Sequence, residues 1–377
     1  MASVRKRTWQ TKQGVRTAWV VAYTHRGKQH IKTFPTKRAA TAWRVEMQTE
    51  VKRGTHTPAA ASPTVAEAGK AWLDQAETDG LERATVTQYR QHLDRHVVPF
   101  IGTEKLAELT PAGVQDFRNR LIRDKRSPVM AKKVVSSLGA ILAHAMTAGL
   151  AGRNVVREQS RTRQRRLEQR HDKRLEVGFD IPTKNEIRAM LAAAQGRWRP
   201  LVVTAIFTGL RASELRGLKW KDVNLDKATL TVRQRADRYG EIGSPKSKSA
   251  QREIPLAPMV VNTLREWRRE DELGLVFPNR EGDVESVSNM HRCGLGAVQV
   301  KAGICTNPRQ PKYGLHSFRH AAASLFIEQG FSPKRVQALM GHSSIQMTFD
   351  TYGHLFPSQD SDQEAMRQLQ ARLVGYQ

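Results

Sequence analysis

The segment YGLHSFRHAAASLFIEQG, residues 313–330, predicts a helix that opens on cationic groups and then turns apolar. His316, Arg319 and His320 stand at i, i+3 and i+4, so they share one helical face. Two imidazoles and a guanidinium repel one another when charged. Such a face requires an anion, a metal ion or solvent, and the rest of the chain decides which.

The chain has 377 residues, enough for two or three domains that each bury a core. Its 62 Lys and Arg against 36 Asp and Glu give a formal net charge of +26. That excess is far more than solubility requires and implies a large polyanion, most simply nucleic acid. Cys293 and Cys305 are the two cysteines, which excludes a disulfide framework and offers no zinc-ligand spacing. MASVRKRTWQ lacks an apolar signal core, and no run reads as a membrane span. A cytoplasmic, nucleoid-associated protein is expected.

The fold class expected is mainly α with small β-sheets (α+β), in three parts. Residues 1–56 hold thirteen Lys or Arg and two acidic residues. SVRKRTWQ, TAWVVAY and HIKTF have strand character, with His25-Arg26-Gly27-Lys28 as a turn; TKRAATAWRVEMQTEVKRG is a helix that stops at Gly54. A three-stranded sheet with one helix can present strands to a DNA groove. THTPAAASP reads as a linker.

Residues 64–150 predict four helices. The second carries Arg90, His92, Arg95 and His96 as a basic face; the third begins at Thr110-Pro111 and the fourth at Ser127-Pro128. Residues 151–178 form a basic linker, either a flexible tether or a strand along phosphates. Residues 179–377 predict a mostly helical domain with short strands at ATLTVRQ and QREIPL around a polar loop, then a helical tail.

Four separated places in that last domain carry chemistry. In FTGLRASELRGL, Arg211 opens a turn after Gly209, and Glu214 three residues on can orient its guanidinium; a plain structural ion pair is the simpler reading. In SPKSKSAQREIPL, Lys246 and Lys248 sit on a polar loop, as a proton donor or as a solvated charge run. The third place is the opening segment. The fourth, LMGHSSIQMTFDTYGHLFP, puts His342 after Gly341 and Tyr352 ten residues later.

In this order, TGLRASEL, PKSKS, LHSFRH, LMGHSS and DTYGH resemble the tyrosine recombinase family, the phage-type integrases. The resemblance is strong from about residue 180 to 356 and extends in layout to the parts before it. It implies an arm-type DNA-binding domain (1–56), a core-binding domain (64–150) and a catalytic domain (179–377). It implies Tyr352 as nucleophile on a DNA phosphodiester, giving a 3′-phosphotyrosyl bond and a free 5′-hydroxyl. Arg211 and Arg319 would clamp the non-bridging oxygens, and His316 would be a base or proton relay. His342 would bond the phosphate, Lys246 would protonate the leaving oxygen and Glu214 would support the site. His320 would be a packing or hydrogen-bonding neighbour. No cofactor and no metal are implied; a metal on His316 and His320 is the alternative, with no carboxylate pattern beside it.

The implied activity is site-specific recombination by a tetramer on double-stranded DNA attachment sites, through a Holliday junction. A DNA-bending host factor and an excision or directionality factor are the implied further partners, with no membrane. The tail DQEAMRQLQARLVGYQ would dock on a neighbouring subunit or pack on its own domain. The alternatives are a type IB topoisomerase, or a non-catalytic architectural DNA-binding protein, which would have no use for Tyr352.

Overall fold

The computed structural model describes residues 2–11, 14–25, 27–52, 56–58, 62–158, 174–245, 247–268, 274–356 and 362–374. Arg26, Gly54, most of the basic linker and Lys246 therefore lie outside the described residues. The chain divides into two compact units, Met1–Arg170 and His171–Gln377.

The first unit begins with the expected sheet. Strands Ser3–Thr11, Gly14–His25 and Lys28–Phe34 pair antiparallel in that order. The middle strand is the most buried because Ala18, Val20, Val21, Ala22 and Tyr23 follow one another in it. Helix Lys37–Lys52 covers it, burying Ala40 and Met47. His56 closes the unit: its Nε2 is 3.0 Å from the Tyr23 hydroxyl and its Nδ1 is 3.0 Å from Glu50 Oε2. Arg5, Lys6 and Arg7 on the first strand remain exposed.

Four helical segments follow. Thr64 and Glu67 cap Val65–Thr78 reciprocally, and Thr110 and Ser127 accept from backbone N–H groups at the starts of Pro111–Arg123 and Pro128–Thr147. The remaining segment, Arg83–His92, runs on through a widened π-turn, Leu93–Val97, into Val98–Ile101. Pro99 accounts for the widening, since it has no N–H to donate and its ring crowds the preceding turn. Trp72, Leu73, Leu93, Phe117, Leu121, Leu138, Ile141 and Leu142 form the core. Each such buried side chain contributes about 1.5–3 kcal/mol. Gly69 lets the first helix touch the second, for a Cβ there would stand 2.3 Å from Leu93 Cδ1.

One expectation changes here. His92 is not part of a basic face: it is 5% exposed, and its Nδ1 shares a 2.8 Å hydrogen bond with Ser137 Oγ. Burial first, then the charges of His96 and Lys133, lower its pKa, so the ring is neutral. Pro128–Thr147 is also long and apolar enough to cross a membrane. Its apolar side, with Val134, Leu138, Ile141 and Leu142, is instead the centre of the bundle core.

The second unit is mostly helical. A three-stranded antiparallel sheet, Val223–Asn224, Thr229–Val232 and Arg252–Pro255, lies beside it. The polar loop between the last two strands carries a further short pair, Arg235–Ala236 with Ile242–Gly243. The core gathers Leu201, Val202, Ile206, Leu215, Ile254, Val260, Leu264 and Phe318 around the central helix Trp198–Thr208. A smaller cluster of Ala323, Ile327, Val336, Met340 and Tyr352 binds the last helices of the domain to helix Leu315–Glu328.

Candidate active site

Two glycines shape the floor of the site. Helix Trp198–Thr208 ends on Gly209 at φ 63°, and helix Pro333–Met340 ends on Gly341 at φ 62°. Both conformations are left-handed, which a glycine adopts without a Cβ penalty. At Gly341 a Cβ would also come within 2.8 Å of Arg252 Nη1. The turns leave the carbonyls of Gly209, Met340 and Gly341 facing one small region.

Two guanidiniums take those carbonyls. Arg319, on helix Leu315–Glu328, donates from Nη1 to Gly209 O at 2.7 Å and from Nη2 to Met340 O. Arg211, the N-cap of helix Ala212–Gly217, donates from Nη2 to Gly341 O at 3.0 Å. Its Nη1 donates to Glu214 Oε1 at 2.8 Å, and its backbone N–H donates to Glu214 Oε2 at 2.9 Å. Arg319 is 2% exposed. Burial, then the charge of Arg211, pulls its pKa down to about 9, so it remains protonated at neutral pH. A guanidinium so poorly compensated favours an anion beside it.

Glu214 supplies the charge that is present. It is buried, and Arg252 from strand Arg252–Pro255 grips both its oxygens. Burial alone would raise its pKa, but the hydrogen bonds and charges of Arg252 and Arg211 hold it below the ordinary carboxylate range. Three arginines around one carboxylate leave the region cationic.

Tyr352 ends helix Ile345–Tyr352 and is 1% exposed. Its ring stacks on His342, with centroids 6.1 Å apart at 12°. Its hydroxyl lies 2.8 Å from His320 Nδ1. Burial raises the phenol to about 12, although Arg319 and Arg211 pull the other way. His342 is held by a 2.9 Å hydrogen bond between Nδ1 and Thr348 Oγ1. Burial, then the charges of Arg319 and Arg211, lowers it to about 4. His316 keeps an exposed face, while its packed side and then the charges of Arg319 and Arg211 lower its pKa. It meets His320 edge to face, with centroids 4.4 Å apart.

The structure thus links Arg211, Glu214, Arg319, His342 and Tyr352 through shared partners and sets His316 beside His320. Lys246 lies outside the described residues, as does the Lys248 side chain. Tyr313, the tyrosine of the opening segment, is fully buried, with its hydroxyl 2.9 Å from both Gly178 O and Glu186 Oε2. Among the described residues no group of three His, Cys, Asp or Glu could hold a metal ion. Sequence reasoning missed Arg252, Thr348 and the bond from His320 to Tyr352.

Residues 182–359 match the phage integrase family, and residues 65–161 match the phage integrase central domain. The chain belongs to the tyrosine recombinase family. Within this family it is similar to a XerC-like tyrosine recombinase of Caldanaerobacter subterraneus subsp. tengcongensis, 24% identical over 382 residues, covering 93% of this chain and 95% of the relative. It is 22% identical to the ICEBs1 integrase of Bacillus subtilis, covering 72% of this chain and 73% of that one. Among solved folds it resembles the Tn1549 transposon integrase in complex with a circular intermediate DNA, at TM-score 0.65 and 20% identity, covering 82% of this chain and 100% of that one. A lambda integrase dimer bound to a core site matches at TM-score 0.56 and 19% identity, over 90% and 93% of the two chains. The recombinase fold therefore accounts for both the helical bundle and the unit that carries Arg211 to Tyr352.

Proposed function

We propose that this tyrosine recombinase integrates or excises a mobile element by cutting and rejoining double-stranded DNA at attachment sites through a covalent phosphotyrosyl bond. One observation carries the reading: Arg319 and Arg211 bond the successive carbonyls of Met340 and Gly341, at the turn that delivers His342, on whose ring Tyr352 stacks. Two fixed guanidiniums beside a phenol fit a phosphodiester under attack.

In this reading Arg211 and Arg319 stabilise charge on the non-bridging oxygens as the phosphorane forms. His342 donates to the same phosphate, and Glu214 keeps the Arg211 fork in place. His316 relays protons at the exposed rim, and Lys246 protonates the 5′-oxygen as it leaves. The tyrosyl ester retains the energy of the broken linkage, so a second DNA end with a free 5′-hydroxyl reseals it. Residues 1–56 act as an arm-type DNA-binding domain, 64–150 as a core-binding domain and 151–178 as a basic linker. The working form is a tetramer on a Holliday junction, the arrangement in which lambda integrase has been captured. Exposed Met366, Leu369 and Leu373 on tail helix Asp362–Val374 support docking of the tail on a neighbouring subunit. A DNA-bending host factor and a directionality factor complete the reaction in the cytoplasm, at the nucleoid.

A nicked suicide substrate tests the chemistry. Wild type should form a covalent protein–DNA adduct that maps to Tyr352, while Tyr352→Phe should bind DNA and form none. An adduct in the Phe variant would sink the assignment. Relaxation of supercoiled DNA that lacks an attachment site would favour a type IB topoisomerase instead.

A further inference from the structure

We propose that His320 is the general base for Tyr352, holding the phenol through Nδ1 and taking its proton as the tyrosine attacks the phosphate. The inference rests on the reading of Tyr352 as nucleophile and adds the group that activates it.

The hydroxyl of Tyr352 lies 2.8 Å from His320 Nδ1, the distance of a direct hydrogen bond. The two rings meet at 63° with centroids 5.7 Å apart, so the contact is through the ring edge. His316, the histidine of the HxxR motif, packs against the His320 ring. Among the described residues the hydrogen bond of the phenol is to His320. A base must lie within hydrogen-bond reach of the proton it removes, and His320 meets that condition.

The protonation state also fits. The groups that face His320 are His316 and Arg319 on its own helix, Tyr352 and His342 on the last segments of the domain, and Asp180 before helix Lys184–Ala193. Burial, then the charges of His316 and Arg319, lowers its pKa to about 4, with Asp180 opposing weakly. The imidazole is therefore neutral at pH 7 and can accept at Nδ1. The phenol is a poor nucleophile while it keeps its proton, since burial raises it to about 12. Arg319 and Arg211 counter that shift, and a phosphate drawn into the site brings the reacting atoms together.

The step balances. The Tyr352 O–H bond breaks and its proton moves to His320 Nδ1. The phenol oxygen forms a bond to phosphorus, and the bond to the 5′-oxygen breaks, that oxygen taking a proton from the acid of the site. On resealing, the incoming 5′-hydroxyl gives its proton back to the deprotonated acid as its oxygen bonds to phosphorus, the bond between phosphorus and the phenol oxygen breaks, and His320 returns the proton to the departing phenol.

Single-turnover cleavage of a suicide substrate by His320→Asn tests this. Asn keeps a polar partner for the phenol but cannot take its proton. The variant should bind DNA like wild type and cleave about 100-fold or more slowly at pH 7. Its rate should rise with pH as hydroxide replaces the base, and difluorotyrosine at position 352, with a more acidic phenol, should restore part of it. A wild-type rate in His320→Asn, or a loss that is equal at every pH and not relieved by difluorotyrosine, would overturn the assignment. If Tyr352→Phe itself formed the adduct, the nucleophile reading would fall first. An adduct that needs Tyr352 and ignores His320 would remove only the base.

Discussion

Arg252 clamps Glu214 with two parallel hydrogen bonds, Nη1 to Oε1 at 3.1 Å and Nη2 to Oε2 at 2.8 Å, while its Nε donates to Leu339 O at 2.6 Å. The two side chains are 5% and 3% exposed, so the pair stands away from water. Arg252 thus ties the sheet to the carboxylate that orients Arg211 and to the end of the helix before His342. One residue outside the proposed catalytic set sets the geometry of two residues within it.

Arg252→Ala should therefore cost stability and activity together. Removing one partner of a buried pair costs up to about 3–5 kcal/mol, and here Glu214 would be left with Arg211 alone to offset its charge. Thermal unfolding should show a clear fall in Tm, and cleavage should fall with it because Arg211 loses its brace. The double variant Arg252→Ala with Glu214→Ala should lose less than the two single losses added, because both act through one pair. Strict additivity would mean that the pair is not coupled.

Lysine should not replace the two clamping arginines. Arg319 spans Gly209 O and Met340 O, and Arg211 spans Gly341 O and Glu214, each with a planar fork that an ammonium lacks. Arg319→Lys and Arg211→Lys should each lower single-turnover cleavage by about 100- to 1000-fold, the loss typical of a preorganised charge-stabilising donor. DNA binding measured by gel shift should change little. Cleavage near the wild-type rate in Arg319→Lys would remove it from the phosphate clamp.

Much of this site was legible because its parts are local. Gly209, Arg211 and Glu214 lie within one helix start, and His316 with Arg319 lie within one turn, so spacing alone gives their relation. Arg252 escaped because its partner is thirty-eight residues away in sequence and the strand QREIPL carries no local sign of it. The bond between His320 and Tyr352 spans thirty-two residues and depends on how the last helices fold back. His92 misled for a related reason. Polarity along a helix marks it as surface, and only packing reveals that Ser137 waits for it inside the bundle. The short strand pair within RADRYGEIGSPKSKSA was hidden too, because two-residue strands have no period to read.

Acid should destabilise the catalytic unit through its histidines. His320 and His342 are each lowered to about 4, against an unfolded value of about 6.5. Between those values the unfolded chain binds more protons than the folded one, so stability falls as pH drops from about 6.5 to about 4 and levels below that. The slope is at most about 1.4 kcal/mol per pH unit for each histidine. Denaturant midpoints across this window should show it, and His342→Gln should flatten it. An unchanged slope in that variant would mean that His342 titrates normally.

The last prediction separates the basic sheet from the rest of the chain. Among the described residues the buried core of the helical bundle runs from Val65 to Val155 and includes none of the first sheet. His56 is locked to Tyr23 and Glu50, so removing residues 1–56 takes away a complete packed unit. The truncated chain should keep its bundle and still cleave a short core site. On a long attachment site it should bind more weakly and recombine less. With exposed Arg5, Lys6 and Arg7 gone, fewer counterions are released, so log affinity against log salt should have a shallower slope. Unchanged affinity and unchanged slope on the long site would show that the sheet does not grip DNA, and its charge would then belong to contact between subunits.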